Sequence, residues 1–91
     1  MFKLKVINNM KYQYRTSGTC SQAIEFEVND GVVLNVKFYG GCAGNLQGIS
    51  RLVEGMPVSE VIKRLKGIKC GYKPTSCPDQ LACALMQIEV N

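Results

Sequence analysis

The sequence predicts an α+β domain, in which an antiparallel sheet fills the N-terminal half and three helices pack on one face of it. Apolar and polar residues alternate with a period of two over the first forty positions, which is typical of strands with one buried face. Apolar residues then recur at helical spacing to the C-terminus, and strands followed by helices are typical of α+β folds. A chain of 91 residues has the size of one domain, so we expect a single domain over residues 1–91.

Four strands are predicted from the alternation. The first two cover residues 2–6 and 10–15, with a turn at Asn8-Asn9 between them. The third covers residues 24–28 and is followed by Asp30-Gly31, a strong signal for a two-residue hairpin. The apolar face of the fourth strand is predicted to consist of Val32, Leu34, Val36 and Phe38, with Asn35 and Lys37 opposite.

Three helices are predicted in the second half. The first runs from about Asn45 to Glu54, with Asn45 as its N-cap and Gly55 as its stop. The second starts near Pro57 and ends at Gly67. The third opens with the segment 76–79, in which Ser76 and Asp79 have the spacing of a capping box, with Asp in place of the usual Glu.

Composition narrows the possible functions. With 46% hydrophobic and 20% charged residues the chain should fold, and no apolar run approaches the roughly 18 residues that span a bilayer. The N-terminus alternates instead of showing a secretory signal, so a cytoplasmic location is expected. A net charge of +4 is too small to predict a nucleic-acid partner. The chain has no histidine, which excludes a Ser-His or Cys-His pair and histidine-ligated metals.

Five cysteines in 91 residues are an unusually high share. Four of them, Cys20, Cys42, Cys70 and Cys77, lie at predicted element boundaries, where scaffolds place working residues. Cys83 lies six residues after Cys77 inside the third helix, at an effective rotation of about 240°, so the two point to different sides. We therefore interpret Cys83 as a small hydrophobic residue near the core.

Two chemistries fit the four boundary cysteines, and a structural role as inert thiols is a third possibility. Four thiolates can hold zinc in a tetrahedral site or an iron–sulfur cluster, although the spacings of 22, 28 and 7 positions are not those of a zinc ribbon. Alternatively, a pair of thiols cycles between dithiol and disulfide. A helix start at Cys77, and another just after Cys42, would favour the thiolate, as would the basic residues around Cys70.

A small-ligand site is a further hypothesis. A glycine-rich turn before a helix can bind phosphate through backbone N–H groups, although this turn lacks the Gly-Lys-Ser/Thr ending of a P-loop. The basic run after the second helix would add positive charge. The candidate anion-binding residues are Gly41, Gly44, Asn45, Lys69 and Lys73.

The segment from Thr75 to Asp79 reads T-S-C-P-D, and with it the chain resembles the TSCPD-domain family of small four-cysteine proteins. The resemblance runs from about Tyr14 to Leu85, leaves out the first strand, and includes Gly18-Thr19-Cys20-Ser21 and Gly40-Gly41-Cys42. A related domain occurs at the C-terminal end of adenosylcobalamin-dependent ribonucleotide reductases. The resemblance implies a role accessory to ribonucleotide reduction or to metal and redox handling, with a ribonucleotide reductase or a redox protein as partner.

A looser similarity links the chain to iron–sulfur scaffolds of the NifU-like fold, whose three cysteine positions match Cys20, Cys42 and Cys77. Those scaffolds have an aspartate where this chain has Gln22, and Cys70 would add a fourth ligand. Both differences favour a closed, stable metal site over a transfer site. Reductase activity by this chain alone is not expected, because 91 residues cannot contain the barrel, cobalamin site and radical machinery of a reductase.

Overall fold

The structure is a computed structural model that describes residues 4–7, 10–18, 21–41 and 43–90. Four antiparallel strands form one sheet in the order β1-β2-β3-β4. Their bounds are Leu4–Val6 (β1), Lys11–Arg15 (β2), Ser21–Asn29 (β3) and Val32–Gly40 (β4). Phe2 and the predicted turn at Asn8-Asn9 lie outside the described residues.

Three helices follow the sheet, as predicted: Ala43–Val53 (α1), Val58–Leu65 (α2) and Cys77–Val90 (α3). Their apolar sides meet one face of the sheet, which confirms the α+β class. The largest fully buried side chains come from both layers and are Phe26, Ile24, Leu81, Leu85, Val33 and Val61. Since these residues form one cluster, burial of apolar surface between sheet and helices is the main force that holds the domain together.

The β3–β4 hairpin turns at Asp30-Gly31, as predicted. Both residues have positive φ, +53° and +77°, which suits the two-residue turns whose twist matches that of the flanking strands. The turn also anchors a helix, because the N–H of Val58 at the start of α2 donates to the carbonyl of Gly31 at 2.8 Å. The hairpin therefore sets the position of α2 as well as the register of two strands.

The predicted apolar face of β4 is partly wrong, because the strand contains a bulge. Phe26 on β3 faces two residues of β4, and one of them, Asn35, has a φ of +53°. One extra residue moves the side chains before it to the other face of the sheet. Val33 is therefore fully buried together with Val36, whereas Val32 and Leu34 are only half-buried.

The predicted N-cap of α1 is also wrong. The helix begins at Ala43, so Asn45 lies within its first turn and is exposed. The chain enters α1 through Gly40 and Gly41, whose φ values of +82° and +80° are unfavourable for other residues. Two consecutive residues in this conformation turn the chain sharply from the end of the sheet into the helix.

Candidate functional site

A surface cleft of about 450 Å³ lies between α1, the loop after α2 and the start of α3. Cys70 and Cys77 both line it. Cys77 is buried as the first residue of α3, and Cys70 is exposed in the loop. We call this feature the cysteine cleft. Its other described lining residues are Asn45, Leu46, Ile49, Ile68, Lys69, Lys73, Ser76 and Pro78.

The loop that carries Cys70 is closed on itself by backbone hydrogen bonds. The N–H of Cys70 donates to the carbonyl of Thr75 at 3.3 Å, and the N–H of Lys73 donates to the carbonyl of Cys70 at 3.0 Å. Gly71 takes a φ of +58° at this turn, and Tyr72 at its tip is fully exposed. A loop pinned in this way holds Cys70 in a defined position relative to α3.

Ser76 caps α3, as the spacing predicts. Its hydroxyl accepts a hydrogen bond from the N–H of Asp79 at 3.2 Å and donates to the carbonyl of Ile68 at 2.7 Å. One side chain thus satisfies an N–H at the start of α3 and ties the preceding loop to the helix. The cap places Cys77 at the first helical position, where its side chain is buried.

Asp79, the second residue of the predicted capping box, makes other hydrogen bonds than those of a standard capping box. The carboxylate of Asp79 accepts from the N–H of Gly67 at 2.7 Å and from the hydroxyl of Thr75, across the loop. An aspartate is one methylene shorter than the glutamate that normally reaches back to the N-cap N–H. Asp79 therefore joins the end of α2 to the start of α3, and it is buried while doing so.

Gln80 connects this network to the other end of the chain. Its side-chain amide donates to the hydroxyl of Thr75 at 3.0 Å, and its carbonyl oxygen accepts from the N–H of Ser17 at 3.1 Å. A Cβ on Gly18 would lie 3.1 Å from Cγ2 of Thr75, so the backbone at Gly18 packs closely on the TSCPD segment. Sequence reasoning missed Gln80, since no local pattern signals a contact across 63 positions.

The β3–β4 ladder ends at Ser21, which pairs with Gly40. A second register irregularity follows at Gln22. The N–H of Thr16 donates to the carbonyl of Gln22 at 3.1 Å, which closes the loop between β2 and β3. Cys20 and Cys42 lie outside the described residues, so the predicted meeting of four cysteines stays a prediction.

Cys83 does not line the cysteine cleft and packs against the hydrophobic core, in agreement with the helical rotation argument. Burial raises the pKa of the Tyr14 phenol, and the nearby Cys83 and Asp79 raise it further. Tyr14 of β2 belongs to the core cluster against which Cys83 packs. Cys77 and Cys83 thus lie in different environments on one helix.

Of the predicted anion-binding residues, Asn45, Lys69 and Lys73 all line the cysteine cleft. Gly41 lies in the turn before α1 and Gly44 in its first turn, and neither is among the described lining residues. The structure therefore brings three of the five predicted residues to one cleft.

Among residues 4–7, 10–18, 21–41 and 43–90, no three His, Cys, Asp or Glu side chains are grouped as a metal site would require. This part of the chain excludes Cys20 and Cys42, so it contains only two of the four proposed ligands. Within the same residues, no helix is both long enough and apolar enough to cross a bilayer.

Comparison with known proteins decides the family. The model of the TSCPD domain matches residues 4–89. The chain belongs to the TSCPD-domain family. The match includes β1, which the motif resemblance had left out, and it links the chain to a small domain associated with ribonucleotide reductases. No curated protein and no solved structure gave a significant match, so the NifU-like arrangement stays a prediction.

Proposed function

We propose that this TSCPD domain is a metal-binding module in which Cys20, Cys42, Cys70 and Cys77 together hold one zinc ion or one iron–sulfur cluster. The observation that carries the proposal is the placement of Cys70 and Cys77 on one cleft, although they come from a loop and a helix. Thiolates are ligands that both zinc and iron–sulfur clusters accept.

The described neighbours of the other two cysteines support the same site. Cys20 precedes Ser21, which pairs with Gly40, and Cys42 follows Gly40 by two positions. Ser21 and Gly40, which are close to the two cysteines in the sequence, thus lie side by side at one end of the β3–β4 ladder. That Cys20 and Cys42 meet there is part of the proposal. Asn45, three residues after Cys42, already lines the cysteine cleft.

The described residues just before Cys20 in the sequence contact the start of α3. Gly18 packs on Thr75, and the N–H of Ser17 is held by Gln80. The segments that flank Cys20 therefore reach both the α1 entry and the TSCPD segment. A site built from four such segments would link the sheet, α1, the loop and α3, and metal binding would then stabilise the fold of a small domain.

We further propose that the module assists ribonucleotide reduction, with a ribonucleotide reductase or a redox protein as its partner. Membership of the TSCPD family supports this role. The 91 residues cannot contain the barrel, cobalamin site and radical machinery of a reductase, so this domain would assist a reductase and not replace it.

A thiol–disulfide role is the second candidate, favoured by the exposure of Cys70 beside Cys77 in one cleft. In that reaction two thiols would form one S–S bond, and two electrons and two protons would pass to an oxidised disulfide of the partner. Metal ligation and this reaction compete for the same sulfurs. The metal content of the isolated protein therefore separates them.

The test is elemental analysis with an absorption spectrum on protein purified without oxygen. The proposal predicts one zinc ion or one cluster per chain in the wild type and in the Cys83→Ser control. It also predicts loss of most of the metal in Cys70→Ser and Cys77→Ser. The contrary result is a wild-type protein that is folded but metal-free and in which mass spectrometry detects an intramolecular disulfide after mild oxidation. That result would contradict the metal module and support the redox role.

A further inference from the structure

The cysteine cleft combines apolar walls with two lysines, a composition that the thiols do not explain. We propose that it binds a small organic phosphate, in which an apolar body is joined to a phosphate group as in a nucleoside monophosphate. The proposal depends on the cleft and its lysines and does not require a metal. The following observations carry it.

The first observation is the size and lining of the cleft. At about 450 Å³ it falls within the range of roughly 300–1,000 Å³ that is usual for small-molecule sites. Its apolar lining comes from three elements, with Leu46 and Ile49 on α1, Ile68 in the loop after α2 and Pro78 in α3. Apolar side chains on several sides suit an apolar ligand body that becomes largely buried.

The second observation is charge. Lys69 and Lys73 line the cleft, and no described carboxylate does. Neither lysine forms an ion pair within the described part of the chain, whereas Arg64 nearby is engaged by Glu60 at 2.7 Å. Two unneutralised ammonium groups beside an apolar slot favour a ligand that carries negative charge at one end.

The third observation is that the backbone carrying the two lysines is fixed by hydrogen bonds. The lysines flank the turn at Gly71, which is closed by the hydrogen bond from Lys73 to Cys70, and the loop is fastened to α3 through Ser76. A fixed backbone lowers the entropy that a ligand must overcome when it orders the two side chains. Asn45 adds an amide from the first turn of α1, which contains no acidic residue.

A second groove on the protein provides a contrast. It measures about 640 Å³, lies between β4 and α1, and includes Lys37, Arg51 and Glu54. Although this groove is larger, its cations share it with a carboxylate. The cysteine cleft is therefore the better site for a small anion.

Calorimetric titration of the full chain with AMP, adenosine and inorganic phosphate tests the proposal. Because the apolar body and the phosphate contact different parts of the cleft, AMP should bind at least about tenfold more tightly than either fragment. Phosphate that binds as well as AMP would reduce the site to a simple anion site and overturn the proposal. Absence of AMP binding would also overturn it.

Matched variants locate the binding. Lys69→Gln and Lys73→Gln should each weaken AMP binding by roughly tenfold, because each removes a charge-assisted contact to the phosphate. Lys66→Gln is the control, since Lys66 is exposed in the same basic segment and does not line the cleft. Equal losses in all three variants would indicate general electrostatic attraction and contradict a site in the cleft.

Metal analysis of the same samples separates the two proposals. AMP binding by protein that holds no metal would support the ligand site and count only against the metal module. Metal-loaded protein that fails to bind AMP would count only against the ligand site.

Discussion

The β3–β4 hairpin and the segment from Gly67 to Gln80 are held in shape by different forces. The hairpin is a backbone ladder whose apolar residues pack in the core, with Phe26 and Ile24 fully buried. The 67–80 segment contains few core residues and is held by the hydrogen bonds of Thr75, Ser76 and Asp79. The hairpin therefore determines global stability, whereas the segment positions the cysteines, and substitutions in the two regions should have different consequences.

The largest effect should follow loss of core volume in the hairpin. Phe26→Ala should lower the free energy of unfolding by about 3–5 kcal/mol, because it removes a fully buried ring that stacks on Tyr12. Urea denaturation measures this change. Tyr39→Ala is the control on β4, since Tyr39 is exposed, and it should cost less than about 1 kcal/mol. Similar losses in the two variants would contradict the assignment of the core.

Asp79→Ala should produce the next largest effect and act on the 67–80 segment. Removal of the carboxylate leaves the N–H of Gly67 and the hydroxyl of Thr75 without their acceptor, at a cost of about 2–4 kcal/mol. Hydrogen exchange at Gly67 should increase more than exchange in the β3–β4 ladder. Asp79→Asn keeps one acceptor oxygen and should fall between the wild type and Asp79→Ala. An exchange increase spread evenly over the sheet would show that the segment is not a separate unit.

A smaller effect is expected at the hairpin turn. Asp30 has a φ of +53°, which costs a residue such as alanine roughly 1 kcal/mol more than glycine. Asp30→Ala should therefore lower the urea midpoint, while Asp30→Gly should leave it nearly unchanged. Equal midpoints for the two variants would mean that the turn relaxes out of the left-handed conformation.

The smallest effect concerns pH and the contact between sheet and α3. The pKa of Tyr14 is raised above its ordinary value of 10.0 by burial and by Cys83 and Asp79. The folded state therefore keeps the phenol proton when the unfolded chain loses it. The contribution of the protonated Tyr14 phenol to the free energy of unfolding is complete below pH 10. This contribution is lost as the pH rises through the folded-state pKa of Tyr14. The free energy of unfolding should fall more steeply above pH 10 in the wild type than in Tyr14→Phe. Parallel pH profiles would contradict the raised pKa.

The hairpin shows what the sequence predicts well and where it fails. Asp30-Gly31 identified the turn, and alternation identified the strands. The bulge at Asn35 was missed because Val32, Val33 and Leu34 are all apolar, so either face of the strand could be the buried one. Only packing against the helices selects Val33.

In the 67–80 segment, local patterns predicted the short-range features and missed the long-range hydrogen bonds. Local spacing predicted the Ser76 cap, and helical rotation separated Cys77 from Cys83. The contacts of Asp79 with Gly67 and of Gln80 with Ser17 span 12 and 63 positions, and no short-range pattern indicates them. Tertiary hydrogen bonds of this kind become visible only when the whole fold is known.

X-ray absorption at the metal edge tests the central claim most directly, because it counts the sulfur ligands of the bound metal. For zinc, the four-cysteine site predicts four sulfur neighbours at about 2.3 Å in the wild type and in Cys83→Ser. Any metal that Cys77→Ser retains should have three sulfur neighbours. Wild-type protein with fewer than four sulfur neighbours, or a lower sulfur count in Cys83→Ser than in Cys77→Ser, would contradict the account.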